Sequence, residues 1–521
     1  MKTGLQTIRP RVHPRLPWLC AVAAASTLHA GDWPQYRGPN HDGISTETLR
    51  TNWSEEAPRQ VWKIPLDPAL SSFSVSGGKA FTQARRSING QPREFCLALN
   101  ADTGAEVWAT LLSDDAAVYD GGVGSDDGPR STPSVDGNFV YVLTSFLKLL
   151  CLGADDGHVV WRRDLVAEYG SKMIGWQSAA SPLIEGDLIL VICSATDKCL
   201  LAFHKADGRE AWKGQNDVMT QASPVAATIA GVRQVVFFAQ SGLVSVVPET
   251  GSVLWRYPFS YSTSTAASPV VGDDVVYCSA AYGSGAGAVR IAGSGPQLTT
   301  NQLWRTPGDN QNHWATPIYF NGYLYGMYGQ SLLTLECIDL NTGSSQWAQG
   351  GFGYGSVLLA KDVILATSEP GFVVLVKPNP AAYEEVARFR ALDGSRSSIP
   401  GLPVKCWNVP AISNGRLYVR STTEAVCLDV AVAAPPPLKL TSALASGAGT
   451  FRLFIGTEDG SPLDTNRVAN IDVFGSTDLT VGPGGWIKLT SPAALTNGRL
   501  FLDDPQSAAT PQRFFHVEER P

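Results

Sequence analysis

The chain has 521 residues, too many for one ordinary hydrophobic core, so it forms either several domains or one large closed array of repeats. Its 51 Gly and 34 Pro favour many turns over long helices and make all-β the leading class. A net charge of -7 supplies no global positive field for a nucleic-acid backbone or an anionic membrane, so neutral or weakly polar partners are expected.

Residues 1–30 carry Lys2, Arg9, Arg11 and Arg15, then an apolar run from Leu16 to Leu28, then Leu28-His29-Ala30. This is the pattern of a cleaved export signal with a cut after Ala30, which predicts a periplasmic or secreted protein. The run is short for a membrane span, and no later stretch reaches the roughly 18 apolar residues of a spanning helix. A soluble mature chain is expected. Trp18 and Leu19 before Cys20 disfavour lipid anchoring.

The next elements repeat. Gly-x-x-x-Trp occurs at Gly104–Trp108, Gly157–Trp161, Gly208–Trp212, Gly251–Trp255 and Gly343–Trp347. Each Gly ends a polar turn that demands positive φ, and each Trp lies on the strand that follows. Trp304 and Phe389 hold the same place in degenerate copies, and Trp62 precedes the first full unit. A Ser/Thr-Pro pair sets the phase at Thr132-Pro133, Ser181-Pro182, Ser223-Pro224, Ser268-Pro269 and Thr316-Pro317, with Val409-Pro410 as a variant.

The aromatics recur every 42 to 53 residues, the length of one four-stranded propeller blade. The units run 73–108, 132–161, 180–212, 222–255, 267–304, 315–347, 355–389 and 408–430. The eighth lacks its outer strand, which Gln60 to Pro65 can supply, closing the ring and removing exposed sheet edges. An eight-bladed β-propeller over residues 31–432 is the predicted fold. Small residues six before the turn Gly (Ala98, Cys151, Ala202, Ser245, Cys337) are expected to serve blade-to-blade packing. Cys193 and Cys199 stand where a local bridge is possible, with a reduced pair slightly preferred.

A Pro-rich linker at 433–437 ends the repeat, and 438–521 form a small β-rich C-terminal module, with a β-sandwich as the expected form.

With the motif copies and the count of eight in hand, residues 32–430 resemble the superfamily of pyrroloquinoline quinone (PQQ)-type β-propellers. One branch contains periplasmic quinoprotein alcohol and sugar dehydrogenases. Another contains non-catalytic relatives, including the scaffold lipoprotein of the outer-membrane protein assembly machinery. The opening Asp32-Trp33-Pro34-Gln35-Tyr36-Arg37-Gly38-Pro39-Asn40 with Asp42-Gly43 is similar to exported PQQ-like propellers of planctomycete and verrucomicrobial bacteria. So are Gly128-Pro129-Arg130-Ser131-Thr132-Pro133 and Gly231-Val232-Arg233-Gln234. The ending Gln512-Arg513-Phe514-Phe515-His516-Val517 resembles tails of secreted verrucomicrobial proteins.

The dehydrogenase branch would imply PQQ stacked between an indole and a disulfide of adjacent cysteines, a Ca²⁺ ion and an Asp base. No Cys-Cys pair exists in the sequence. Asp114, Asp115, Asp120, Asp126 and Asp127 form an acidic insertion that reads as a solvated loop, with Ca²⁺ ligation as the alternative. The seven His show no metal-ligand spacing. Gly283-Ser284-Gly285-Ala286-Gly287 reads as a flexible hairpin loop rather than a phosphate cradle.

Three residues before each marker proline, the chain enters its innermost strand, and there stand Arg130, Ala179, Gln221, Ala266, Trp314 and Trp407. Ring symmetry brings these to one mouth of the central channel, with Trp176, Gln177, His313, Tyr354 and Asn408 nearby. They either bind a flat ligand, a sugar or a peptide, or plug the channel. The repeat Trp residues are expected to pack between blades. The expected role is a non-catalytic binding or scaffold propeller of the cell envelope with a protein or polysaccharide partner, without nucleic acid and as a monomer. The alternatives are a PQQ- and Ca²⁺-dependent dehydrogenase and a carbohydrate-binding accessory protein.

Overall fold

The computed structural model describes residues 31–119, 127–261, 263, 265–295, 297–331, 333–394, 404–432, 435–444, 451–478, 480–481, 485–506 and 513–520. The proposed export signal, Asp120 and Asp126 lie outside them. Two compact units divide at Val432 and Ala433.

Unit 1 is a β-propeller. Its described strands form eight antiparallel blades whose innermost strands are Ser74–Ser76, Ser134–Asp136, Leu183–Glu185, Val225–Ile229, Val270–Gly272, Ile318–Phe320, Val357–Ala360 and Ala411–Ser413. Arg59–Pro65 is the outer strand of the eighth blade and pairs antiparallel with Glu424–Asp429, so that blade joins the two ends of the unit.

The turn glycine and the tryptophan of the repeat meet across blades. Trp62 lies against Gly104, Trp108 against Gly157, Trp161 against Gly208, Trp212 against Gly251 and Trp304 against Gly343, so close that a Cβ would fall 2.4 to 2.8 Å from the nearest atom. Each glycine holds φ between +69° and +74°, where a side chain is also strained. The indole N–H then donates to the carbonyl three residues before that glycine: Trp62 to Ala101, Trp108 to Ala154, Trp161 to Lys205, Trp212 to Pro248 and Trp304 to Leu340. Trp255 instead donates to Gln234 Oε1 of its own blade, and the next blade carries a long hairpin, Gly285–Ser294 with Gln297–Thr306, in place of the glycine turn.

The small residues hold a specific place at the blade interface, Ala98 sharing one core with Val140 and Leu152 of the next blade. Ala98, Cys151, Ala202, Ser245 and Cys337 are the direct cross-strand partners of the Trp in their own sheet, immediately before a bulge, and Cys427 stands likewise opposite Trp62. A large side chain there would compete with the indole for one position on the sheet face. Cys193 and Cys199 are both buried free thiols; Cys193 N–H donates to Cys199 O and its thiol to Lys198 O.

The stretch after Gly31 is not a repeat strand. Trp33 exchanges backbone bonds with Val75, Pro34 O accepts from Val135 N, and Gln35 Oε1 accepts from Ile184 N. Ile44–Ser45 lies parallel beside Leu359–Ala360, and the Glu47 carboxylate accepts from Asn414 N and Gly415 N. One segment thus ties the innermost strands of blades 1, 2, 3, 7 and 8. Arg37, 2% exposed, adds blade 6 by donating to Thr316 O at 2.8 Å and Pro317 O at 2.7 Å. The segment's contacts run from the residues leading into the innermost strand of blade 6 to the turn that follows that of blade 8.

Unit 2 has a four-stranded sheet (Leu438–Leu444, Phe451–Thr457, Arg499–Asp504, Ala494–Thr496) and a three-stranded one (Ile487–Lys488, Ile471–Ser476, Phe514–Glu519) around Leu453, Ile455, Val473, Leu500 and Leu502. Arg513 and Asp504 form a buried ion pair at 2.6 Å. Among the described residues, no helix is long and apolar enough to cross a membrane.

Candidate functional site

The starting ends of the innermost strands carry the residues expected at the mouth. Trp176 stacks on Tyr282 with centroids 6.4 Å apart, and Tyr282 OH lies 2.9 Å from His313 Nε2. His313 packs on Trp314 at 4.3 Å, and Trp314 stacks on Trp407 at 4.6 Å, with Tyr354 against both at 4.8 and 4.9 Å. Lys405 Nζ sits 4.5 Å from the Trp407 ring centroid and 2.6 Å from Asp127 Oδ2. Arg130, attracted by the Asp127 charge, donates to Trp176 O at 3.3 Å. Aromatic side chains thus form an arc from the lead-in of blade 3 through blade 8, with the Lys405–Asp127 ion pair at one end and the Arg130 guanidinium at the other.

The aromatics of this belt are only partly buried. Trp176, Gln177 and Tyr282 hold φ of 62°, 55° and 58°, a region that costs non-glycine residues energy and recurs where a fold fixes side chains for a task.

The expected amide residues behave differently. Gln221 donates to Gly175 O and Gln177 O, and Asn408 to Ala69 O and Ser71 O, so each ties its blade's lead-in to a neighbour's. Gln177 is itself buried. The Gln221 and Asn408 carbonyl oxygens and the Trp314 indole N–H are buried without a partner in the structure, groups that normally find water or a ligand.

Four participants escaped the sequence reading: Tyr282, Lys405, Glu369 and Glu94. Tyr282 sits in the Gly-rich stretch expected to be a flexible loop. That stretch is a turn through Ser284 followed by a regular strand from Gly285, and the turn is what projects Tyr282. Glu369 accepts from Trp407 Nε1 and Tyr354 N. Glu94 accepts from Tyr119 OH and Ser145 N; burial raises its pKa, partly countered by these bonds. Burial also lowers the Arg130 pKa and pushes that of His313 down to about 4, so His313 is neutral near pH 7.

These residues do not fit a sandwiched quinone with its calcium. A planar ring held between two faces needs about 7 Å between them, twice an ordinary carbon contact, and Trp314 and Trp407 lie in direct contact. The described carboxylates here, Asp127, Glu369 and Glu94, are each engaged as above. Of the acidic insertion, Asp115 pairs with Lys148 and Ser113. Among the described residues no three His, Cys, Asp or Glu gather to hold a metal ion.

A family profile described as outer membrane protein assembly factor BamB matches residues 92–349. No curated protein matches the chain. Among solved structures, a quinohemoprotein alcohol dehydrogenase from Comamonas testosteroni is similar with a TM-score of 0.55 at 12% identity, over 82% of this chain and 84% of that one. The quinohemoprotein alcohol dehydrogenase ADHIIG from Pseudomonas putida HK5 gives 0.53 at 11% identity, over 80% and 84%. BamB from Moraxella catarrhalis gives 0.48 at 15% identity, over 71% and 97%. The profile match and the dehydrogenase fold, joined to the interlocked Gly-x-x-x-Trp blades, identify the chain as a PQQ-like β-propeller repeat protein.

Proposed function

We propose that this protein is an exported, non-catalytic binding or scaffold propeller of the cell envelope, engaging a protein or polysaccharide partner through the face that carries the aromatic belt. The observation behind this reading is the arc of mutually contacting, partly exposed aromatic faces on one rim, with the Lys405–Asp127 ion pair beside it. Side chains that already support one another lose less ordering entropy when a partner binds. The family profile, named for an outer-membrane assembly factor, supports a scaffold role, and the export-signal pattern supports the compartment. The absence of adjacent cysteines from the sequence speaks against a quinoprotein dehydrogenase.

The deciding experiment has two arms. Full-length protein is titrated with PQQ and Ca²⁺ while Trp fluorescence and dye reduction with alcohols and sugars are followed; saturable quenching with turnover rejects the proposal. In the second arm, envelope fractions are tested for retention of the wild type and of Trp176→Ala. Retention by the wild type alone supports the rim as the binding face, and equal retention rejects it.

A further inference from the structure

The belt's chemistry narrows its occupant. Its charges answer one another: Lys405 meets Asp127, and Arg130 is drawn to Asp127 and stacks over Tyr119 at 5.4 Å. Glu369 is held by an indole and an amide N–H. An ionic ligand would have to displace one of these partners from a partly buried pair, which is costly. What the belt does offer is flat, partly exposed aromatic faces, Trp176 and Tyr282 foremost.

A second feature adjoins it. Two residues from His313 begins a cleft of about 520 Å³ between blades 5 and 6, lined by Asp309, Asn310, Gln311, Glu336 and Ser345. Gln311 Oε1 accepts from Gly283 N, so the cleft wall is fastened to the turn that carries Tyr282. Glu336 already accepts from Thr334 Oγ1 and Ser345 Oγ, and its remaining lone pairs, with the Asp309 carboxylate and the Asn310 amide oxygen, can accept from hydroxyl groups. A pyranose ring has the matching form, an apolar C–H face for an indole and a perimeter of hydroxyl donors.

We propose that this face binds an uncharged oligosaccharide, with one sugar on the Trp176–Tyr282 part of the belt and another in the cleft beside Glu336. The proposal rests on the belt being the binding face. The test uses the full chain with four neutral hexasaccharides (β-1,4-glucan, α-1,4-glucan, β-1,4-xylan and β-1,4-mannan), a heparin hexasaccharide and a proline-rich decapeptide, read by calorimetry and Trp fluorescence. At least one neutral sugar is expected to saturate with Kd below about 1 mM. Trp176→Ala should weaken it about tenfold and Glu336→Gln about threefold, with melting temperatures showing that both variants fold. Saturation by no neutral sugar overturns the inference, as does saturation insensitive to both variants. If heparin or the decapeptide binds instead and Trp176→Ala abolishes it, the sugar assignment fails while the binding face stands; binding untouched by Trp176→Ala removes both.

Discussion

Lys405 Nζ lies 2.6 Å from Asp127 Oδ2 across 278 residues of sequence, and the two side chains are only 7% and 12% exposed. The pair spans the lead-in of blade 1 to join blades 8 and 2. Removing one member strands the other's charge in a poorly hydrated place. Lys405→Met or Asp127→Asn alone should cost about 3–5 kcal/mol, and the double variant markedly less than the sum. Denaturant unfolding of the three variants measures this; additive losses would mean that the pair is hydrated and weak.

Two glycines separate backbone strain from the contact between blades. Gly186 holds φ +56° with nothing within 4 Å of a Cβ, whereas Gly208 holds φ +69° with a Cβ position 2.7 Å from the Trp161 ring. Gly186→Ala should cost about 1–2 kcal/mol from conformation alone. Gly208→Ala adds overpacking of about 1–3 kcal/mol. Equal melting temperatures would refute the interlock.

Arg37→Met would forfeit charge-assisted bonds to Thr316 O, Pro317 O and Asp42 O, leaving those carbonyls short of a donor. A loss of about 3 kcal/mol or more is expected, together with faster tryptic cleavage after Arg50 as the segment loosens. Unchanged proteolysis would show that the segment is held without it.

Acid should destabilise the propeller through two histidines. Burial pushes the pKa of His41 down to about 3, with Arg233 adding to the effect, and that of His313 down to about 4. The unfolded chain takes up these protons near pH 6.5, while the folded chain refuses them until well below. Both contributions are therefore intact above pH 6.5 and fade as pH falls from 6.5 toward 4 for His313 and toward 3 for His41. The raised pKa of buried Glu94 acts in the opposite direction. Melting temperature measured from pH 7.5 to 4 should fall more steeply for the wild type than for His41→Phe; parallel curves would exclude His41 as a source.

All eight described cysteines are buried, and burial raises each thiol's pKa, that of Cys193 to about 11. Few thiolates form at neutral pH, so a thiol reagent should label none of the eight before denaturation. Rapid native labelling of Cys193 or Cys199 would contradict this placement.

The repeat was legible because five blade junctions ask the same thing of the sequence: a glycine that accepts an indole, and an indole that reaches a carbonyl one blade on. Symmetry then carried Trp314, Trp407 and Arg130 to one mouth. It failed for Tyr282 and Lys405, which do not stand at the marker offset and reach the belt from a turn and from the residue beside a buried cysteine. The Trp33 to Glu47 segment was recognisable only as a family-like opening. Most of its partners are backbone groups hundreds of residues away, and a backbone group leaves no trace in sequence.

Arg37, Ile44, Glu47 and Trp62 are synthesised first, yet their partners in blades 6 to 8 come last. The strand pairing that completes the circle, Arg59 with Asp429, must wait until Asp429 has emerged, a long-range closure of the kind that slows folding. During that wait the opening residues of the nascent polypeptide present unpaired backbone and an unburied indole, a natural client for a holding chaperone.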